Sequence, residues 1–526
     1  MKKLSNFLVL SQNAYFSAIL SAVLIATSYP PFPAWALFFA LVPLMVSWHR
    51  APTAKQILLT GFVCQFVFVF IGFNWIAHTA REYGHLPWAL SILVLIGFCC
   101  IASLHVPIAG YIAYKINRRW PLTPGWFFTL LASLLVAGEW FFPMIFPWNF
   151  GYPLLFSHFK SSQLAEFIGF NGLSFLVLLS NAAFATAFVK YPKPGWSRSV
   201  IVFVFLLFCA ESIGTYVEKN LGLEDKTLHA LLIQPNIGNY DKFLAERGAG
   251  YQEPVVRKYF DLTIEGLAKS ALKPDIIVWP ETAYPASLDP GLQDGFYQRR
   301  IFDFVKAQAI PMLIGAYSED PGDNNNKSYN AVFAIDQTGT AKPGYRKNIL
   351  LAFGEYFPGA QYFPFLKDLI PEISDFGRGA GPMVFQLNNT SFSPLICYEG
   401  LDVSFVGKTA KLGVQIFVNV TNDSWFGKSF EPYQHMIMTI ARTIEFRRPM
   451  IRSTNTGFSV IADARGHILA KGPQDTEWAQ TVDVPYFSQV KNTFFSKILD
   501  FIPFIFLILP FLITLIGRYV GKSQRT

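Results

Sequence analysis

Long unbroken apolar runs fill the N-terminal part of the chain and return at its C-terminal end, whereas the stretch between them alternates short apolar runs with polar ones. An apolar run of ~20 residues crosses a ~30 Å hydrocarbon core as a helix. The run after Met1-Lys2-Lys3 reaches about Thr27 and lacks the small-residue pattern of a cleaved signal peptide, so it is expected to remain as a span. Tyr29-Pro30-Pro31-Phe32-Pro33 then makes a rigid turn, and a shorter run returns over 34–48. Further spans are predicted at 57–77, 88–114, 126–142, 163–189 and 200–216, which gives seven in the N-terminal membrane domain 1–216. An eighth, at 498–516, is followed by a basic tail, so 498–526 forms the closing segment.

Between them, 217–497 has the pattern of a globular domain large enough for one full core. Strands are predicted at 228–234, 275–279, 311–317, 330–336, 392–397, 414–420, 450–453 and 458–462. Helices are predicted between several of them, at 253–271, 293–308 and 433–446. Strands alternating with helices make a layered α/β domain.

Composition agrees with a membrane location: of 526 residues, 52% are hydrophobic and 15% charged, too apolar for an ordinary soluble enzyme. The net charge of +8 comes without a basic, aromatic-interleaved patch, which argues against nucleic acid. The charge reads as topology. Lys2, Lys3, Arg50, Lys55, Lys115, Arg118, Arg119, Lys190, Lys193, Arg198, Arg518, Lys522 and Arg525 fall in alternate connections or tails, thirteen against only Arg81 and Lys160 in the opposite ones. Positive residues stay on the cytoplasmic side. Both termini are therefore expected in the cytoplasm and 217–497 outside, which in a bacterium with two membranes is the periplasm. Within the spans, Trp75 and Trp148 have the ordinary reading of interface anchors. Glu139 is either a functional intramembrane acid or a snorkelling one.

Candidate chemistry gathers where predicted strands stop. Ser393-Pro394-Leu395-Ile396 leads into Cys397-Tyr398-Glu399, which presents one cysteine at a strand end. The other four cysteines lie in apolar segments, and no pair has disulfide, redox or zinc spacing, so no metal or cofactor is expected. Glu281 follows Trp279-Pro280, Lys347 precedes Glu355 by eight residues, and 419–427 is rich in amides and aromatics. Singly, each reads as readily as a turn acid, a surface cation or a core residue. Together they supply a nucleophile, a base, a cation for an oxyanion and an orienting acid, the inventory for acyl transfer.

Glu281 after Trp-Pro, Lys347 with Glu355, and Cys397 before Tyr-Glu resemble the Glu-Lys-Cys triad of the nitrilase superfamily. With the multi-span N-terminal region, the final span, and the motifs Phe73-Asn74-Trp75, Phe146-Pro147-Trp148, Asn422 to Ser429, Gln434-His435 and Arg452 to Asn455, the whole chain resembles the bacterial apolipoprotein N-acyltransferase family. Two departures are Leu351-Ala352, where Val-Pro is usual, and Phe243, near where a Trp is expected. The resemblance implies a polytopic membrane domain joined to an αββα sandwich. It also implies catalytic roles for Glu281, Lys347 and Cys397, with Glu355, Tyr398, Glu399, Trp425, Trp148 and Phe243 in support. The implied partners are a phospholipid acyl donor, phosphatidylethanolamine favoured, and the α-amino group of a diacylglyceryl-cysteine apolipoprotein, in a ping-pong reaction through a thioester. The alternatives are a membrane-tethered amidohydrolase and an inactive lipid-binding scaffold.

A membrane has a chemical reason here. Lifting an acyl chain of about fifteen methylenes into water costs roughly 12 kcal/mol at ~0.8 kcal/mol per methylene. The site is thus expected to open onto the bilayer's outer face. Phe353, Tyr356, Phe357, Tyr362, Phe363 and Phe365 are candidates for a loop that dips into lipid; the alternative is a loop packed on its own core.

Overall fold

The computed structural model describes residues 13–82, 84–193, 195–289, 295–319, 327–359, 362–363 and 375–523. Two compact units emerge: Met1–Ala77 with Pro87–Leu221 and Lys497–Thr526, and His78–Leu86 with Gly222–Ser496.

In the first unit, six helical stretches among the described residues are long and apolar enough to cross a membrane: Ala54–Gly72, Trp88–Arg119, Pro124–Phe141, Lys160–Lys190, Arg198–Asn220 and Phe494–Val520. They correspond to six of the eight predicted spans. The other two differ. Part of the first predicted run, before residue 13, lies outside the described residues, and the described part holds the 13-residue helix Ala14–Ala26; the return at 34–48 is helical only from Val42, in a nine-residue helix to Arg50. Prolines 30, 31 and 33 precede this return, and side chains take over backbone partners that a helix would have supplied. Asn181 accepts from Leu41 N (2.8 Å) and donates to Leu37 O (3.0 Å), Ser180 donates to Phe38 O, and Ser28 and Ser157 accept from Ala36 N and Ala34 N.

Helices of this unit approach closely where residues are small. A Cβ on Gly110 would lie 2.8 Å from the Trp48 ring, and one on Gly61 would lie 2.7 Å from the Pro107 backbone. Trp75 and Trp148 are not interface anchors. Both are buried, Trp148 against Phe68 at a ring separation of 4.4 Å and Trp75 against Phe146 at 5.5 Å. Glu139 does not snorkel either. It is buried, and its Oε1 accepts from Ser174 Oγ at 2.7 Å and Phe150 N at 3.5 Å, a tie between two spans.

The second unit is built on twelve strands: β1 (Lys226–Gln234), β2 (Ile276–Ser287), β3 (Met312–Glu319), β4 (Ser328–Ile335), β5 (Tyr345–Arg346), β6 (Phe385–Leu387), β7 (Thr390–Ile396), β8 (Ile416–Thr421), β9 (Met450–Thr454), β10 (Val460–Ala462), β11 (Ile468–Lys471) and β12 (Trp478–Tyr486). They form two six-stranded sheets, ordered β12-β1-β2-β3-β4-β5 and β6-β7-β8-β9-β10-β11. Each has the same pattern of directions, three parallel strands flanked by antiparallel ones. The parallel strands are almost wholly buried, as sheets covered on both faces require. The sheets meet face to face, where Ser453 Oγ of β9 lies 3.2 Å from Ile233 O and 3.3 Å from Val278 O. Helices Ala249–Lys269 and Phe296–Gln308 follow β1 and β2, while Val403–Lys411 and Glu431–Phe446 follow β7 and β8. This is the layered α/β sandwich expected.

Candidate active site

Glu281 does not end its strand, as the Trp-Pro pair suggested; it lies inside β2, where the register against β3 slips between Trp279 and Tyr284. The next residue, Thr282, has φ of 47°, a costly left-handed conformation for a β-branched side chain. Gly315 on β3 makes room for this bulge, since a Cβ there would lie 2.3 Å from Pro280 O. The Glu281 side chain, 6% exposed, thereby leaves the pleat and meets Asn330 Nδ2 at 2.7 Å and Lys347 Nζ at 3.4 Å.

Lys347 follows the short β5, its N–H bound to Asn330 O at 2.8 Å and its side chain 1% exposed. The ammonium donates to Glu355 Oε1 at 2.7 Å. Glu355 is itself fixed by Leu351 N on Oε2 (2.8 Å) and by Asn330 Nδ2 on Oε1 (3.2 Å). One amide thus bridges the two carboxylates on either side of the lysine.

Cys397 leaves β7 into the short turn Cys397–Leu401 with φ of 51°, left-handed like Thr282. Asn419 Nδ2 holds its carbonyl at 3.1 Å. Glu399, fully buried, braces the turn: its carboxylate accepts from Ile396 N (2.7 Å), Tyr345 Oη (2.8 Å), Asn348 N (2.6 Å) and Ile349 N (3.2 Å). It therefore links the cysteine turn to the lysine segment rather than walling a pocket. Burial pushes its pKa up to about 7, against the opposing pull of these donors.

The electrostatics tie the three groups together. Burial pushes the Cys397 thiol up; Glu281 adds to this, while Lys347 and a hydrogen bond from Thr421 act against it. Burial also raises Glu281, with Lys347 opposing and Glu355 assisting. Burial alone would lower Lys347, but the Glu355 and Glu281 carboxylates outweigh it and hold the ammonium above its ordinary value. The resting site is a protonated thiol beside a raised carboxylate and a firmly charged lysine, which is the arrangement for a base-activated nucleophile with a fixed cation at hand.

Beneath Cys397 lies a second charged group. Arg452 on β9 donates to Asp423 Oδ2 and Asn419 Oδ1, both at 2.7 Å, and His435 Nδ1 lies 3.0 Å from Asp423 Oδ1. Burial would raise Asp423, but Arg452 and then His435 overcome it and hold the carboxyl below its ordinary value. Asp423, Glu431 and His435 could by spacing hold a metal ion. The guanidinium on Asp423 already supplies the positive charge, so the set reads as an internal ion network.

Of the supporting residues, Tyr398 is half-buried next to Cys397, with its phenol raised by burial. Trp425 is half-buried in the short turn Ser424–Phe426. Phe243 lies largely exposed on helix Asn239–Glu246, with the Arg247 guanidinium 4.1 Å above its ring. Trp148 belongs to the membrane unit. Phe353, Tyr362 and Phe363 are exposed, Tyr356 and Phe357 half-buried, and Phe365 falls outside the described residues.

Sequence reasoning missed Asn330, and it singled out the stretch with Asn419, Thr421 and Asp423 and the motifs with His435 and Arg452 without giving these residues individual roles. Asn330 and Asn419 carry a faint signal, being amides inside otherwise apolar strands.

Comparison with known proteins sharpens the picture. Residues 230–491 match the carbon-nitrogen hydrolase family, and residues 21–183 match the apolipoprotein N-acyltransferase N-terminal domain. The chain is 41% identical over 491 residues to the apolipoprotein N-acyltransferase of Bdellovibrio bacteriovorus, covering 91% of this chain and 89% of that one. This chain belongs to the apolipoprotein N-acyltransferase family. Another N-acyltransferase of this name, from Geobacter metallireducens, is 29% identical, with 90% and 89% of the two chains covered. An amidase from Nesterenkonia sp. AN1 overlaps 49% of this chain and 92% of its own at 15% identity, with a TM-score of 0.34. Membership makes the chain a multi-pass membrane protein of the nitrilase superfamily, and both matched family regions fall on the N-acyltransferase pattern.

Proposed function

We propose that this protein transfers an acyl chain from a phospholipid to the α-amino group of a diacylglyceryl-cysteine apolipoprotein, through a thioester on Cys397. The observation that carries the reading is the left-handed turn at Cys397 together with the ion cluster of buried Glu281 and Lys347 with Glu355, in a chain of this family. Glu281 takes the thiol proton as Sγ attacks the ester carbonyl. Lys347, held charged by Glu355, faces the oxyanion of the tetrahedral intermediate. Collapse expels the lysophospholipid oxygen as an alkoxide, which takes a proton from Glu281 to become the hydroxyl and leaves acyl-Cys397. In the second half the acceptor amine attacks the thioester, Glu281 removes a proton from the nitrogen, and the thiol is restored. Phosphatidylethanolamine is the favoured donor.

The same reading puts residues 217–497 on the outer face of the cytoplasmic membrane, both termini inside, with the catalytic unit periplasmic. The basic-residue asymmetry supports this, as does the inclusion of His78–Leu86, which carries Arg81, in the catalytic unit. Reporter fusions at Tyr191 and Gly322 should report opposite sides; the same side for both overturns the map.

The decisive experiment is to incubate the purified protein with phosphatidylethanolamine and weigh it intact. A mass increase of one acyl group on Cys397 is expected, discharged by a diacylated lipopeptide with a free α-amine and not by its acetylated form. Rapid loss to free fatty acid regardless of lipopeptide would support the tethered hydrolase.

A further inference from the structure

Lys242 is the residue that neither the triad nor its family resemblance uses. It lies on helix Asn239–Glu246, whose neighbours Tyr240 and Phe243 are exposed, yet Lys242 itself is 5% exposed. A lysine is rarely buried without a specific task. Its ammonium donates to Glu281 O at 3.0 Å and Thr282 Oγ1 at 2.8 Å. Those are the two residues of the β2 bulge, one bearing the candidate base and the other the left-handed backbone that turns it out of the pleat.

The charge count points the same way. Around Cys397 two largely buried carboxylates, Glu281 and Glu355, share one ammonium, Lys347. A buried charge without compensation neutralises itself by shifting its pKa. Lys242 brings a second positive charge near Glu281, reaching the backbone of the bulge and not the carboxylate.

We propose that Lys242 is a positioning residue for Glu281, pinning the bulge that aims the carboxylate and placing a second positive charge near it. The proposal rests on the reading of Glu281 as the base for Cys397. The charged groups acting on Lys242 are Glu281 from β2 and Glu246 from its own helix, the latter accepting from Tyr317 Oη at 2.6 Å. Those acting on Glu281 are Lys347, Glu355 and Lys242, with the Asn330 amide. Burial lowers Lys242 to about 8, against the pull of both carboxylates, so at neutral pH it remains mostly charged.

The test uses the full-length protein with Lys242→Met, Lys242→Gln and Lys242→Arg. Two rates are followed against pH: alkylation of Cys397 by iodoacetamide, resolved from the other cysteines by peptide mass spectrometry, and acyl-Cys397 formation on phosphatidylethanolamine vesicles. Removing a nearby positive charge raises a carboxylate pKa. The acidic limb of both profiles should therefore move to higher pH by about one unit in the Met and Gln variants and stay in place in the Arg variant. Gln, which keeps a donor for Glu281 O and Thr282 Oγ1, should retain more of the plateau rate than Met. If Met does not accumulate as folded protein, Gln carries the test. A lowered plateau with the limb unmoved in the neutral variants would mean that Lys242 is only structural, and the proposal falls. The underlying reading fails separately. It falls if Glu281→Gln leaves the alkylation limb of otherwise unchanged protein where it was, or if the unmodified protein takes no acyl group while its alkylation profile still responds to Lys242.

Discussion

Two buried carboxylates, Glu139 of the membrane unit and Glu281 of the catalytic unit, are held in opposite ways. In the membrane unit, Glu139 is held by a serine hydroxyl and a backbone amide, both neutral donors. In the catalytic unit, Glu281 and Glu355 flank an ammonium, and Asp423 meets a guanidinium. Neutral donors tie helices together and ask nothing of the proton. Ionic partners instead decide which group holds the proton, and that is what acyl transfer needs. On the proposed reading Glu139 is a carboxylate that builds and Glu281 one that reacts, and each variant below tests one side of that contrast.

Cys397→Ala should abolish both the acyl-enzyme mass and transfer, a loss of about 10⁶-fold by comparison with removal of other enzymic nucleophiles. A fully active Cys397→Ala protein ends the thioester mechanism. Glu281→Gln should insert and fold yet slow Cys397 acylation by about 10²–10⁴-fold, the range for a lost general base. Lys347→Met should cost about 10²–10³-fold, as for a lost oxyanion donor. Single-turnover acylation measures both, and a normal rate in either removes that residue's role. Because Glu281 must be unprotonated to act and its pKa is raised, the unmodified enzyme should lose acylation on acidification at a pH above the ordinary glutamate value of 4.5.

Arg452→Met should act on stability first. It strips the cation from buried Asp423 and releases Asn419 from its hold beneath Cys397, a change expected to cost about 3–5 kcal/mol. Denaturant unfolding of the catalytic unit reads this directly. Asp423 is held below the ordinary aspartate value of 3.8, so its contribution is complete above that value and is lost as pH falls through the lower folded value. The gap between the two proteins should therefore narrow on strong acidification. The smallest effect belongs to Glu139→Gln. Its amide oxygen can still accept from Ser174 and Phe150 N, so stability should change by less than about 1 kcal/mol and acylation hardly at all. A large loss of acylation in this variant would give the membrane carboxylate a part in the chemistry and erase the contrast.

Much of this was legible along the chain. Six spans, the strand and helix alternation after residue 226, and Cys397 at a strand end all follow from periodicity, because burial on one face or on every face leaves a regular mark. Several short elements escaped it, and so did the nine-residue edge strand β12, most of whose positions are only partly buried. β5, β6 and β11 have two to four residues, too few to show a period, and helices Asn239–Glu246 and Val403–Lys411 have only eight and nine. The return at 34–48 looked like a span because apolarity alone was visible, whereas its backbone is satisfied by Asn181, Ser180, Ser28 and Ser157 from elsewhere in the chain.

By itself, then, the amino-acid order determined which residues can carry acyl-transfer chemistry, where the chain enters apolar surroundings, and which family it resembles, since residue type, hydropathy and motif spacing are local properties. Only the tertiary structure decided what each charge does. Glu281 and Asn330 come from two strands and Lys347 and Glu355 from the segment after a third, Glu399 turned out to be a brace, and Lys242 left the solvated face of its helix to hold the β2 bulge. The reason is physical: the state of an ionisable group depends on burial and on partners within a few ångströms, and those partners are set by how the sheets pack, not by neighbours along the chain.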